Sequence, residues 1–254
     1  MTDEEFEKYL RAGEIACRVR KMIPSIVKSG MRVIDLAYEV ENAIKALGGE
    51  PAFPVNISIN EVAAHYTPTP NDETVIGSLS VTKGDIDVHV DGFIADTAIT
   101  VSFDDGAAFM VQAVEEALEK ALRVADVGVK FSQVGAAVEE ALRKAGLKPV
   151  VNLSGHSMDR YIIHAGETIP NFKDVKLFGK FADGRAYAIE PFATNGRGYV
   201  IEGNVITIYA LKYNPKKLKN LSEKAREVFN YIYSERRTLP FALRWYTDKF
   251  PLEH

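Results

Sequence analysis

Apolar residues recur at spacings of three and four along Asp3 to Val27, and again along Ala107 to Val127. With 3.6 residues per turn, that spacing puts one apolar stripe on a helix. Each long helix leads into a shorter one. Gly30-Met31-Arg32-Val33 opens a pattern through Leu36, Val40, Ile44 and Leu47 to Gly48. Gly128-Val129-Lys130-Phe131 opens another through Val134, Val138 and Leu142 to Gly146. Gly48 and Gly146 fall where a helix ends on a left-handed residue. A strand-like run follows each helix, Phe53-Pro54-Val55-Asn56-Ile57 and Pro149-Val150-Val151-Asn152-Leu153. The two halves therefore repeat near an offset of 98 residues.

A helix pair cannot bury its apolar faces alone. Two such units can, if their strands join one curved antiparallel sheet with the helices on its outer face. The expected fold class is α+β with a pseudo-two-fold repeat. Half-repeats at 1–105 and 106–195 would make one catalytic domain, 1–195, with its site at the junction on the open face. Further strands are expected around Ala186-Tyr187-Ala188-Ile189 and from Tyr199 to Leu211. A polar, basic loop, Lys212 to Asn220, then precedes a helix from Ser222 to Glu235 whose stripe is Ala225, Val228, Phe229 and Ile232. Ser222 and Glu223 suit its cap and first turn. Residues 196–250 are expected to form a strand and helical subdomain, and 251–254 a terminus.

The chain has 254 residues, 46% hydrophobic and 26% charged, enough to build a core. Its net charge of -4 argues against binding nucleic acid through phosphates. The run Lys216-Lys217-Leu218-Lys219 reads as a solvated loop. A single cysteine, Cys17, excludes an internal disulfide and reads as a buried, inert thiol. No charged-then-apolar leader and no membrane-length apolar run stand out, so a soluble cytoplasmic protein is expected. Leu252-Glu253-His254 resembles the start of a vector-encoded polyhistidine tag and is not expected to belong to the fold.

Acidic residues then change the picture. In Asp85-Ile86-Asp87-Val88-His89-Val90-Asp91-Gly92, the Asp-Gly pair is a hairpin signal. Asp85, Asp87, His89 and Asp91 share one strand parity. Beyond the turn, Asp96 sits in an otherwise apolar strand, where an unpaired carboxylate is costly. Facing carboxylates need a proton or a cation between them. Downstream lie His156 after the second repeat's strand, His164, and Glu190 among apolar residues; His65 occupies the matching region of the first half. Asp, His and Glu without thiolates suit Mn, Fe, Co or Zn in a hydrolase better than a structural zinc site.

Several segments carry a resemblance. They are Asp91-Gly92-Phe93-Ile94-Ala95-Asp96-Thr97-Ala98, Asn152-Leu153-Ser154-Gly155-His156, Ile163-His164-Ala165-Gly166 and Ala188-Ile189-Glu190-Pro191-Phe192-Ala193-Thr194. Pro51-Ala52-Phe53-Pro54 and Ala63-Ala64-His65-Tyr66-Thr67-Pro68 join them. Together they resemble the motifs of methionine aminopeptidases. Thr238-Leu239-Pro240-Phe241-Ala242-Leu243-Arg244-Trp245 resembles the end of the helical insertion of the archaeal and eukaryotic, type 2, kind. The resemblance runs to about Phe250. It implies the pita-bread fold, with that insertion, and removal of N-terminal methionine from peptides and nascent chains. It implies two divalent ions (Co, Mn, Fe or Zn) with an activated hydroxide, held here by Asp85, Asp96, His156 and Glu190. Glu190 would also accept a proton. His65 and His164 would contact substrate, His164 stabilising the tetrahedral charge, and Phe53 and Ile163 would wall the methionine pocket. The implied partners are N-terminal methionines, with no membrane and no specific nucleic acid, and the implied state is a monomer.

The pattern departs from the family twice. A fifth ligand, a Glu in a Phe-Glu-His-Thr context tens of residues past Trp245, has no counterpart; Glu253-His254 stands too close to Trp245. The second ion is then expected to bind poorly, with a sheet edge left open to association. Lys83-Gly84-Asp85 also leads directly into Ile86-Asp87, where family members interpose several residues. Asp85 has the family's distance to Asp96, but it also fits an upstream turn whose strand was shortened. A metal-impaired or engineered pita-bread scaffold is the alternative function. A related Xaa-Pro peptidase is disfavoured by the insertion and by Ala63 to Pro68.

Overall fold

The computed structural model describes residues 1–251. Helix α1 (Asp3–Ile26) begins on a capping box, Thr2 accepting from the Glu5 N–H while Glu5 takes the Thr2 N–H. Asp3, Glu4 and Glu5 suit the positive end of the helix. Helix α2 (Val33–Ala46), β1 (Glu50–Pro51) and β2 (Asn56–Ile59) follow, then a long hairpin, β3 (Val81–Val90) and β4 (Phe93–Ser102). The second half runs α3 (Ala108–Val124), α4 (Phe131–Lys144), β5 (Lys148–Pro149), β6 (Ser154–Met158), β7 (Thr168–Pro170), β8 (Ala186–Ala188) and β9 (Ala193–Thr194). Short α5 (Pro215–Leu218) and then α6 (Glu223–Arg236) complete it.

The repeat is visible in three dimensions. Helix α4, β5 and β6 each start 98 residues after α2, β1 and β2. Gly30, Gly48, Gly128 and Gly146 all have positive φ, between 76° and 85°. Each half packs its own core. In the first, Ile15, Val19, Val40, Ile44, Ile57 and Ile86 meet between helices and sheet. In the second, Ala113, Ala117 and Ala121 of α3 let α4 approach closely, with Phe131, Val134 and Leu142 buried alongside. Burying each large aliphatic side chain stabilises by about 1.5–3 kcal/mol. A third cluster spans the halves: Phe53 and Ile94 from the first, Met158, Ile163 and Ala188 from the second, and Leu239 from the tail.

The structure corrects several expectations. The sheet is three hydrogen-bonded ladders, not one: β3 lies between β4 and the pair β1 and β2, β6 lies between β7 and β8, and β5 pairs β9. Pro51, Pro149 and Pro170 are the last residues of β1, β5 and β7, and a proline donates no backbone hydrogen bond to a ladder. Of the run 53–57 only Asn56 and Ile57 are strand, and of 149–153 only Pro149, the end of β5; β6 starts after it, at Ser154. The strand expected from Tyr199 to Leu211 does not form; among the described residues Tyr209 makes one bridge, to Phe241. With no neighbour alongside, Ile201, Val205 and Ile206 stay 88%, 72% and 73% exposed. Cys17 is half-buried rather than buried. The expected loop 212–220 contains α5, capped by Asn214. Leu252, Glu253 and His254, with the tag reading and the weak ligand candidate, lie outside the described residues. No helix among the described residues is long and apolar enough to cross a membrane.

The tail is tied back by a buried ion pair. Arg244 meets Glu41 of α2, and Trp245 Nε1 donates to the same carboxylate at 2.8 Å.

Candidate metal centre

The hairpin sets the site. Asp91 and Gly92 have φ of 52° and 89°, both left-handed, as a tight two-residue turn requires. His89 Nδ1 accepts the Gly92 N–H at 3.1 Å. Burial, with the charge of Arg236, presses the His89 imidazole down to about 4. It therefore stays neutral and keeps its accepting lone pair. His89 is a turn cap, not a member of the cluster.

This turn fixes the register. Asp87 stands opposite Asp96, and Asp85 opposite Ala98. Directly opposed side chains have β-carbons about 4.5–5.5 Å apart, and residues two apart share a face. Asp85, Asp87 and Asp96 therefore converge. Asp85 lies inside the unbroken ten-residue strand β3, and Lys83 and Gly84 are strand residues too rather than a turn. Asn56, its partner on β2, donates from Nδ2 to Asp85 Oδ2 at 3.1 Å.

The second half supplies the rest. On β6, His156 pairs with Ala188 of β8, and Glu190 follows two residues later. His156 Nε2 lies 3.4 Å from Asp96 Oδ2 and 3.0 Å from Glu190 Oε1. Gly155 makes the approach possible, since a β-carbon there would sit 2.2 Å from the Ala188 carbonyl oxygen. Gly155→Ala is therefore expected to push β8 away. It should cost about 1–3 kcal/mol by overpacking and weaken divalent-ion binding in calorimetry. Unchanged ion affinity would refute this account of Gly155.

Two donor sets emerge, each with ligand atoms within 4.8 Å of one another: Asp96, His156 and Glu190, and Asp85, Asp87 and Asp96. They share Asp96. Burial, reinforced by Asp96 and Glu190, holds the Asp85 carboxyl well above the usual carboxylate range. Burial, with Asp96 and Asp85, does the same to Asp87. Burial also raises Glu190, against the pull of His156. For His156 itself, burial opposes protonation, but Asp96 and Glu190 override it and lift the imidazole to about 10.

Asp87 Oδ1 and His156 Nδ1 are buried without hydrogen-bond partners. Among the described residues, no lysine or arginine pairs with any of the four carboxylates. So many buried anions are costly unless cations join them. Oxygen donors with one imidazole suit divalent ions of the Mn, Fe, Co and Zn range, so these residues fit a metal centre.

The remaining candidates sit at its mouth. The His164 ring is 4.4 Å from that of His156 and 6.5 Å from that of His65, centroid to centroid. Solvent reaches both His65 and His164. Crowding by the protein nonetheless presses both imidazoles down, and His156 adds to this at His164. His65 adopts a left-handed φ of 59°, a conformation that costs a non-glycine residue energy. Phe53 lies 5.8 Å from His65 and 6.4 Å from His164, and belongs with Ile163 to the cluster joining the halves. All six candidate residues come together. Two residues of the site were outside the expected set. Strand parity with Asp85 points to Asp87, but no local pattern points to Asn56.

Comparison with known proteins agrees with this geometry. The model of metallopeptidase family M24 matches residues 7–210. A methionine aminopeptidase of Thermococcus onnurineus is 45% identical over 98% of this chain and 83% of its own length. That of Saccharolobus solfataricus is 44% identical, over 96% of this chain and 80% of its own length. The crystal structure of methionine aminopeptidase from Thermotoga maritima superposes with a TM-score of 0.74 at 24% identity, covering 80% of this chain and 85% of that one.

Proposed function

The chain belongs to metallopeptidase family M24, and on that premise we infer a metalloaminopeptidase that removes the N-terminal methionine of peptides and nascent proteins. Its fold is the pita-bread fold. The observation that carries the reading is the pair of donor sets sharing Asp96, with a partnerless buried Asp87 oxygen, beside two histidines and an apolar wall. The scaffold alternative is not favoured, since the 45% identity spans nearly the whole chain.

Asp85, Asp96, His156 and Glu190 would hold divalent ions, which supply a nucleophile at neutral pH and polarise the scissile carbonyl. Asn56 orients Asp85 from behind, as a hydrogen-bonded partner of a ligand does. The Glu190 carboxylate, largely buried beside His156, is the group suited to take a proton from the attacking water. His164 and His65, kept neutral, each retain one N–H and one accepting nitrogen; the His164 N–H suits the substrate carbonyl oxygen, and a His65 lone pair could accept the peptide N–H. Phe53 and Ile163 would pack against the methionine side chain. The type 2 kind is supported by the Thr238 to Trp245 segment, whose Arg244 and Trp245 seat on Glu41.

The test is release of methionine from a Met-Ala-Ser peptide. Metal-stripped protein should be inactive, and Co or Mn should start the reaction. No release with Co, Mn, Fe or Zn would sink the assignment.

A further inference from the structure

The four ligands assigned above leave one buried carboxylate without a task. Asp87 is only 3% exposed. Its Oδ1 has no hydrogen-bond partner, and none of the ion pairs among the described residues includes it. It stands directly opposite Asp96, on the same face as Asp85. Donor atoms of all three lie within 4.8 Å of one another.

We propose that Asp87 is itself a metal ligand, completing with Asp85 and Asp96 an all-carboxylate position beside the mixed position of Asp96, His156 and Glu190. The proposal rests on the metallopeptidase reading and goes beyond it. A purely structural aspartate would spend its oxygens on backbone N–H groups or a cation from the chain. Here the neighbours of Asp87 are two more carboxylates, which offer only repulsion or a shared proton. A divalent ion satisfies all three at once. Asn56 already occupies one oxygen of Asp85, which turns the other free for the same ion. With Asp85, Asp96 and Glu190, Asp87 makes four carboxylates in the two donor sets.

The two positions then differ in kind. Three carboxylates make a hard, all-oxygen site suited to Mn. The imidazole makes the other site better suited to Zn or Co.

The experiment is Mn(II) titration of metal-stripped protein, wild type against Asp87→Asn, read by bound-metal analysis and electron paramagnetic resonance. Asparagine keeps the shape of aspartate and removes the charge. Wild type should bind two ions and show a spin-coupled pair. Asp87→Asn should keep one ion, weaken the second at least about tenfold, and show an isolated-ion spectrum. Circular dichroism checks the fold, and Asp87→Ser repeats the test should the amide variant fail to fold. Two ions held with unchanged affinity and coupling in the variant would overturn the role of Asp87, as would a wild type holding one ion. A wild type binding no divalent ion would instead defeat the metallopeptidase reading itself.

Discussion

Asp96→Ala should empty both metal positions and reduce kcat/KM for methionine release by more than about 100-fold. Asp96 belongs to both donor sets. Removing it leaves His156 with Glu190 on one side and Asp85 with Asp87 on the other, too few donors for either ion. Loss of a mere outer partner of a ligand costs about 10–100-fold, so loss of a shared ligand must exceed that. The effect divides into two readouts. In wild type, an ion at a hundred times its Kd adds about 2.7 kcal/mol to stability. That increment should vanish in Asp96→Ala. The metal-free variant should meanwhile be no less stable than metal-free wild type, because one of several mutually repelling buried carboxylates is gone. A variant that still gains thermal stability from Mn would show that Asp96 is not the shared ligand.

The second large effect lies away from the chemistry. Glu41→Ala is expected to cost about 3–5 kcal/mol, the range for breaking a buried ion pair by removing one partner. Glu41 and Arg244 are 2% and 4% exposed. Arg244 also donates to Thr67 Oγ1 at 2.7 Å and to the Pro68 carbonyl at 3.1 Å, while Glu41 accepts from Trp245 and from the Val55 N–H. Burial raises the Glu41 carboxyl and lowers the Arg244 guanidinium. Each charge has thus lost more to dehydration than its partner returns. The intact pair therefore contributes little against an apolar pair of the same size, yet a lone Arg244 would be stranded. Replacing both with methionine and leucine should recover most of the loss. Urea unfolding of the single and double variants measures this, and a single-variant loss below about 1 kcal/mol would refute it. Because Val55 and Thr67 flank Phe53 and His65, the single variant should also raise KM for the peptide.

Much of this was legible in the chain. The four main helices follow from spacings of three and four, and their ends from Gly48 and Gly146, because both signals are local. Asp91-Gly92 announces a tight turn, and a tight turn dictates which residues face each other across β3 and β4. The opposition of Asp87 to Asp96 was therefore implicit in the letters. The strand expected from Tyr199 to Leu211 failed because apolar alternation shows that a segment suits a sheet, not that a neighbour is there to pair with it.

The sequence by itself determined the repeat, the hairpin register and the choice of Asp85, Asp96, His156 and Glu190 as candidates. Only the tertiary structure decided that the two halves close on each other so that His156 and Glu190 reach Asp96. It also decided that Asp87 is buried without a partner, and that Arg244 finds a glutamate 203 residues earlier. The division has a physical cause. Helix period, strand parity and turn geometry act over a few residues and are written in local order. Contacts between distant residues are set by how whole faces pack, and carry no local mark.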